Sequence, residues 1–353
     1  MQKLTIVGGK KLNGSINISG SKNATLPILA ASILSKNKII IQNIPLVKEV
    51  ETMINLLSLL GSKVKLNKKK KKIEILNNNK LSTFVPYKLV KTMRAGVLAL
   101  GPLLARYNKA KVSLPGGCAI GSRPVDLHLG ALKKMGVNFK IRDGYINAIS
   151  KNGLIGNKIT FPKISVGATE NAMMAACLAK GKTILNNCAC EPEIKDLGRF
   201  LIKMGCKIKW LKKRKIEING VTNLRPLVYR VMFDRIEAGT YMIASAITNG
   251  RVKITNIDPK IIKNEITDGI IFNPITNDFF WSSKGSGAWC NNTRLRVSKR
   301  EKISECVIGL GMPHANRTYD GYLQEIDQIT KNCSGIRRLG AASIDLAFVA
   351  AND

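Results

Sequence analysis

The sequence is poor in aromatic residues, in acidic residues and in histidine, and each shortage closes a line of interpretation. Phe, Trp and Tyr together make up 5% of the chain. Proteins that hold single-stranded nucleic acid stack bases on aromatic rings set among basic residues, and no such patch occurs here. The chain still carries a formal net charge of +34, because 57 Lys and Arg stand against only 23 Asp and Glu. Lysine supplies most of the excess and is scattered, often beside Asn and Ile. That pattern gives solvated basic faces and suits acidic or phosphorylated small substrates, so no specific nucleic-acid partner is expected. The two histidines, His128 and His314, lie far from any cysteine cluster, and none of the eight cysteines forms a Cys-x-x-Cys pair. A zinc site is therefore not expected, nor any other metal site. The N-terminal Met1-Gln2-Lys3-Leu4-Thr5 has no apolar signal core. The longest uncharged apolar run, Ala95 to Ala105, is too short to span a bilayer. The expectation is a cytoplasmic protein with free thiols and no membrane partner.

What is present is a globular composition and a repeat. With 353 residues, 45% of them hydrophobic and 23% charged, the chain can build a sizeable core in two or three domains. A helix rich in small residues begins near Asn23 and includes Ala24, Leu26, Ile28, Leu29, Ala30, Ala31, Ile33 and Leu34. The strand Ile39-Ile40-Ile41 follows, then a helix near 46–60 that stops at Gly61. Val64-Lys65-Leu66 and Ile73-Glu74-Ile75 alternate around the block Lys68 to Lys72, which predicts a hairpin with a lysine-rich turn. The same order returns at 169–219, with the strand Thr183-Ile184-Leu185, a helix near 193–204, then Gly205 and a hairpin over about 207–219. A middle copy keeps its second half, from Leu129 through Gly136 to a hairpin ending at Ile149. Gly61, Gly136 and Gly205 each follow a helix, where a residue with φ > 0 is wanted. Three such βαβαββ modules can bury their helices together under sheets as one α/β domain. A fourth copy starts with Ala238 to Ile247 and Val252-Lys253-Ile254, but its closing glycine and hairpin do not arrive.

Two stretches point to chemistry. Leu114-Pro115-Gly116-Gly117-Cys118-Ala119-Ile120-Gly121-Ser122-Arg123-Pro124 contains three glycines and two prolines, which forbid a regular helix or central strand. Backbone N–H groups and Arg123 there would lower the pKa of Cys118 and attract an anion; an idle structural cysteine is the alternative. Ser19-Gly20-Ser21-Lys22-Asn23 opens the first small-residue helix, so Lys22 sits where a helix N-terminus and a cation together favour phosphate; a plain helix start with a solvated lysine is the alternative. Arg94 precedes a buried apolar run and either snorkels or forks an anionic group.

These stretches resemble the UDP-N-acetylglucosamine enolpyruvyl transferase family. The resemblance is carried by Ile18 to Ala24, Leu89 to Ala95, Ser113 to Cys118 through Arg123 to His128, Ser165 to Thr169, Glu191 to Ile194 and Asp234 to Thr240, in order over residues 1 to about 262. It implies an inside-out α/β barrel fold of three modules for 22–230, with 1–21 and 231–262 forming part of a second, incomplete domain. It implies transfer of the enolpyruvyl group of phosphoenolpyruvate to the 3′-hydroxyl of UDP-N-acetylglucosamine, an early step of peptidoglycan synthesis, without a cofactor. By the same resemblance Cys118, Lys22 and Asn23 are catalytic: Cys118 protonates or captures phosphoenolpyruvate, and Asn23 orients a reacting group. Arg94, Arg123, Pro124, Val125, Asp126, Leu127, Lys163, Ser165, Val166 and Gly167 bind the substrates. Leu98 and Phe233 depart from the family pattern, which usually has an aromatic and a proline at these positions.

After 262 the resemblance changes. Residues about 266–353 resemble the inositol monophosphatase family, through Ile271 to Pro274, Asp278 to Trp281, Lys284 to Trp289, Asn292 to Ser298 and Gly335 to Ala347. That implies an α/β fragment of a sugar-phosphatase-like fold with a helix near Ala341–Ala350, in which Gly340, Ala341 and Ala342 would be substrate-loop residues. The family's metal-binding carboxylate motifs are missing, and without them a phosphoryl group has no metal clamp. The expectation is an enolpyruvyl transferase impaired or inactive in turnover. The alternatives are an inactive UDP-sugar-binding remnant or an inositol-monophosphatase-like protein.

Overall fold

A computed structural model describes residues 10–77, 80–90, 94–114, 125–248, 250–263, 268–273, 276–283, 287–296, 300, 302–309 and 322–337. The chain divides into a unit Ser19–Asp234 and a second unit made of Met1–Ile18 and Arg235–Asp353.

The unit Ser19–Asp234 is one motif built three times. The first module holds helix α1 (Lys22–Ala31) and a 3-10 turn, strand β2 (Ile39–Gln42), helix α2 (Lys48–Leu59) and the hairpin β3 (Ser62–Asn67) and β4 (Lys72–Asn77). The second holds β5 (Phe84–Val85), α3 (Tyr87–Val90), a 3-10 helix Arg94–Ala99 running into α4 (Leu100–Tyr107), β6 (Lys109–Ser113), α5 (Asp126–Lys134) and the hairpin β7 (Asn138–Arg142) and β8 (Tyr145–Ile149). The third holds β9 (Lys158–Thr160), α6 (Val166–Ala176), β10 (Lys182–Asn186), α7 (Pro192–Lys203) and the hairpin β11 (Lys207–Lys212) and β12 (Lys215–Asn219). A last strand, β13 (Leu227–Arg230), returns to the first module. The three sheets have the same order: β13-β2-β4-β3, β5-β6-β8-β7 and β9-β10-β12-β11. In each, a parallel pair is extended by an antiparallel hairpin.

The local reasons lie in residue size and period. Every residue from Ala24 to Ala31 in α1 and from Ala168 to Ala176 in α6 is buried. A helix hydrophobic all round belongs inside a core. The central hairpin strands alternate instead: Ile73 and Ile75, Ile146 and Ala148, and Ile216 and Ile218 point inward, while the paired edge strands expose Lys63 and Lys65, Lys140, and Lys207 and Lys209. This period of two places much of the lysine excess on the outer sheet faces. The helix-ending glycines take the expected left-handed conformation, with φ of 103° at Gly61, 89° at Gly136 and 108° at Gly205. The first half of the middle module was hidden in the sequence, because Gly101 and Pro102 interrupt the small-residue pattern and the helix forms as a 3-10 segment followed by α4. Cys188 and Cys190 lie in the connection after β10, where Asn187 adopts φ 55°.

In the second unit, β1 (Asn13–Asn17) pairs in parallel with β14 (Arg251–Thr255), and α8 (Arg235–Ile247) precedes β14. A short α9 (Pro259–Lys263) follows. The C-terminal part holds an antiparallel meander, β15 (Asp268–Asn273), β16 (Asp278–Ser283), β17 (Gly287–Cys290) and β18 (Thr293–Arg294). Trp281 and Trp289 stack across β16 and β17 with ring centroids 5.8 Å apart. Then come β19 (Val307–Gly309), α10 (Tyr322–Thr330) and β20 (Gly335–Arg337), with β19 and β20 parallel. The helix expected near Ala341–Ala350, and with it Gly340 to Ala342, lies outside the described residues. No sheet among the described residues closes on itself as a barrel. No helix among them is long and apolar enough to cross a membrane.

Candidate functional site at the helix N-termini

Two groups of the sequence-derived candidates fall at helix N-termini of the unit Ser19–Asp234. The first is centred on Lys22. Ser21 caps α1 by accepting the Ala24 N–H at 3.2 Å. The chain beyond β13 folds back onto this entry. Gly20 bridges Phe233, the Ser21 N–H donates to the Met232 carbonyl at 2.8 Å, and the Asp234 N–H donates to the Ser19 carbonyl at 2.9 Å. The Lys22 N–H then donates to Asp234 Oδ2 at 3.2 Å. The approach is so close that a Cβ on Gly20 would lie 1.6 Å from the Asn43 carbonyl oxygen. The Lys22 ammonium meets Glu49 Oε2, from the first turn of α2, at 2.5 Å. Both side chains stay partly exposed, 40% and 33%. The result is a cation at a helix N-terminus, held by one half-solvated carboxylate, where an anionic ligand can compete. Asn23 is exposed beside it.

A buried pair positions the Asp234 segment. Asp196 on α7 accepts the Tyr229 hydroxyl at 2.7 Å and the Met232 N–H at 3.2 Å. Burial raises the Asp196 carboxyl above its ordinary range, against the pull of these donors. The Tyr229 hydroxyl is pushed up chiefly by burial and then by the Asp196 charge.

The second group is formed by the starts of α5 and α6. Val125 is buried just before α5, with exposed Asp126 in its first turn and Leu127 next. Ser165 caps α6 by accepting the Ala168 N–H at 3.3 Å, and Val166 and Gly167 form its first turn. Lys163 is exposed just upstream. The two helix starts meet where Gly167 packs on His128: an added Cβ would lie 3.1 Å from His128 Cε1.

Asn171 locks this junction. Its Oδ1 accepts the Gly101 N–H at 2.7 Å, which fixes the amide orientation. Its Nδ2 donates to the Val97 carbonyl at 2.9 Å and faces His128 Nδ1 at 2.8 Å. His128 Nδ1 is therefore the acceptor and Nε2 carries the proton. Burial lowers the His128 pKa to about 4, so the ring is neutral at pH 7. One amide thus ties α4, α5 and α6 together and sets both helix starts.

Arg94 begins the 3-10 segment Arg94–Ala99. Cys118, Arg123 and Pro124 lie outside the described residues. Sequence reasoning gave no role to Glu49, His128, Asn171, Asp196 or Tyr229. Glu49 and Asn171 carry no sequence signal beyond lying on predicted helices. The Glu191 to Ile194 block was visible. The structure buries Glu193 in the first turn of α7, within electrostatic reach of buried Glu170, whose carboxyl burial raises well above the usual range. Among the described residues no group of His, Cys, Asp and Glu could hold a metal ion.

Repeated parallel-pair-plus-hairpin sheets around small-residue helices define an enolpyruvyl transferase fold. Residues 6–276 match the sequence model of the EPSP synthase (3-phosphoshikimate 1-carboxyvinyltransferase) family, and the chain belongs to that family. Residues 261–353 match the inositol monophosphatase family. The particular relatives are UDP-N-acetylglucosamine 1-carboxyvinyltransferases. That of Pelagibacter ubique is 64% identical over 266 residues, covering 75% of this chain and 63% of the relative. That of Rickettsia akari is 53% identical over 283 residues, covering 78% and 67%. The chain thus spans about two thirds of the length of the curated relatives it matches. Among solved structures, the enolpyruvyl transferase NikO from Streptomyces tendae superposes with a TM-score of 0.65 at 16% identity, covering 94% of this chain and 76% of that one. EPSP synthase from Acinetobacter baumannii gives 0.58 at 17% identity, covering 76% and 62%. These two likenesses show the fold.

Proposed function

We propose that this chain binds UDP-N-acetylglucosamine and phosphoenolpyruvate and carries part of the machinery for enolpyruvyl transfer to the sugar 3′-hydroxyl, in the cytoplasmic phase of peptidoglycan synthesis. The observation that carries the proposal is the 64% identity over 266 residues to a UDP-N-acetylglucosamine 1-carboxyvinyltransferase. Domain 1 is residues 22–230, residues 1–21 and 231–262 belong to a partial second domain, and 266–353 are an inositol-monophosphatase-like fragment.

In this reading the 3′-hydroxyl oxygen attacks C2 of phosphoenolpyruvate and releases its proton to water, while C3 takes up the proton of Cys118 and leaves a thiolate. The phosphate then leaves with its C–O bond electrons and C3 returns a proton to the Cys118 thiolate, which restores the enol ether. Lys22, Arg94 and Arg123 balance the negative charge of the phosphate and carboxylate, and Asn23 orients the reacting hydroxyl. Loss of one such preorganised cation typically costs about 3 kcal/mol of transition-state stabilisation. Exchange of Glu49 for substrate frees the Lys22 ammonium. The adjoining starts of α5 and α6, with Pro124, Val125, Asp126, Leu127, Lys163, Ser165, Val166 and Gly167, hold the nucleotide, and the positive ends of the two helix dipoles suit a diphosphate.

Turnover is impaired in this reading, because among the described residues no antiparallel hairpin strand joins the β1–β14 pair of the fourth module. That observation favours a second outcome, a UDP-sugar-binding protein that does not turn over. Calorimetric binding of UDP-N-acetylglucosamine together with a phosphate-release assay on both substrates separates the two. Binding with release gives the enzyme, binding without release gives the binding protein, and absence of binding defeats the proposal.

A further inference from the structure

The fourth module is built like the other three up to a point, and the point at which it stops leaves a defined surface. Asn43, Asn187 and Asn256 directly follow β2, β10 and β14 in the left-handed conformation, with φ of 60°, 55° and 59°. Counting the same distance back from each asparagine aligns Leu29 and Ala30 of α1, Met173 and Met174 of α6, and Met242 and Ile243 of α8. The first four are 0% exposed. Met242 is 42% and Ile243 57% exposed, and Ile236, on the same stripe as Ile243, is 54% exposed. Ile236, Thr240 and Ile243 are spaced i, i+4, i+7, so they share one helix face.

Among the described residues the sheet also stops at this place. β2, β6 and β10 each have a parallel partner on one side and an antiparallel hairpin strand on the other. Among the described residues, β14 pairs only with β1. Its second edge is a row of backbone donors and acceptors able to take an added strand.

We propose that the α8 face and the outer edge of β14 form a docking surface for a separate polypeptide carrying the two further modules of the same repeat. That partner lays an antiparallel hairpin strand along β14 and packs small-residue helices on Met242 and Ile243. A second copy of this chain is a poorer occupant, since the hairpins β3–β4, β7–β8 and β11–β12 of its three complete modules are already built into four-stranded sheets. The Pelagibacter ubique relative, of which the match covers 63%, has chain outside the match to supply such modules. The inference stands on exposure and strand pairing, so it is separable from substrate turnover.

The probe is the part of the Pelagibacter ubique relative outside the match, produced together with the full 353-residue chain. Its competence is set by its association with that relative's own matched part. The expected result is a 1:1 complex by light scattering, with amide-exchange protection over 236–254. The double variant Met242→Lys, Ile243→Lys replaces exposed side chains, so it should keep the thermal melt of the parent while binding at least tenfold more weakly. The proposal is overturned if the probe binds its own matched part but not this chain, if binding leaves exchange over 236–254 unchanged, or if the double variant binds equally well. It is also overturned if protection there grows with the concentration of this chain alone, which would assign the surface to a second copy.

Discussion

Acidification should destabilise the Ser19–Asp234 unit through His128 in a way that one substitution removes. The ring is buried beside Asn171 and Gly167, and burial lowers its pKa from 6.5 to about 4. The folded ring therefore stays neutral while the unfolded ring takes up a proton below about pH 6.5. Stability from this group is fully present above pH 6.5, is lost as pH falls toward 4, and changes no further once both states are protonated. Each pH unit in that window is worth about 1.4 kcal/mol, so the whole loss is about 3 kcal/mol. The perturbation is His128→Gln, which removes the titration and keeps a polar side chain at the position. The assay is urea unfolding of both proteins at pH 7.5, 6.0, 5.0 and 4.5, followed by a probe specific to this unit. Carboxylates elsewhere titrate in both proteins and cancel in the difference. The stability gap favouring the parent should shrink by about 2–3 kcal/mol between pH 7.5 and 4.5. A gap that stays constant would mean the ring is solvated or already charged, and the account of the α5–α6 junction would be wrong.

Three further substitutions test the same framework. Asn171→Leu strands the Gly101 N–H, the Val97 carbonyl and His128 Nδ1 in the core, and should cost about 3–5 kcal/mol in denaturant unfolding, since each buried unpaired group costs about 1–3 kcal/mol. Gly20→Ala drives a Cβ into the Asn43 carbonyl and should shift the Lys22–Asp234 entry, seen as loss of amide-exchange protection at Ser21 and Lys22. Tyr229→Phe removes one donor from Asp196 but leaves the Met232 N–H, and should cost about 1–2 kcal/mol by thermal melting with the fold retained.

The repeat was legible because it is written in period and punctuation. Alternating Ile residues in the hairpins and a glycine after each amphipathic helix survive as local signals, and the structure places Gly61, Gly136 and Gly205 where that reasoning put them. The start of the middle module was not legible, since a 3-10 segment leading into Leu100-Gly101-Pro102 breaks the helical period that sequence reading relies on. At the candidate site, Lys22 was visible from its place at the start of a small-residue helix, and Ser165 only through the family resemblance. Glu49, Asn171 and Asp196 were not, because each acts on a residue far away in sequence, and only the packing of α1, α2, α5, α6 and α7 brings them to their partners.

The central claim is that Ser19–Asp234 keeps the setting of an enolpyruvyl transferase site, with Cys118 as its reactive group. Brief labelling of the full chain with fosfomycin, an epoxide that resembles phosphoenolpyruvate, followed by peptide mass spectrometry, tests it most directly. Cys177 and Cys206 are buried, and burial holds the Cys177 thiol well above its ordinary pKa, so both should react slowly. The account predicts an adduct on Cys118 that forms first and whose rate changes with UDP-N-acetylglucosamine. Equal labelling of every exposed thiol, insensitive to the nucleotide sugar, would contradict it.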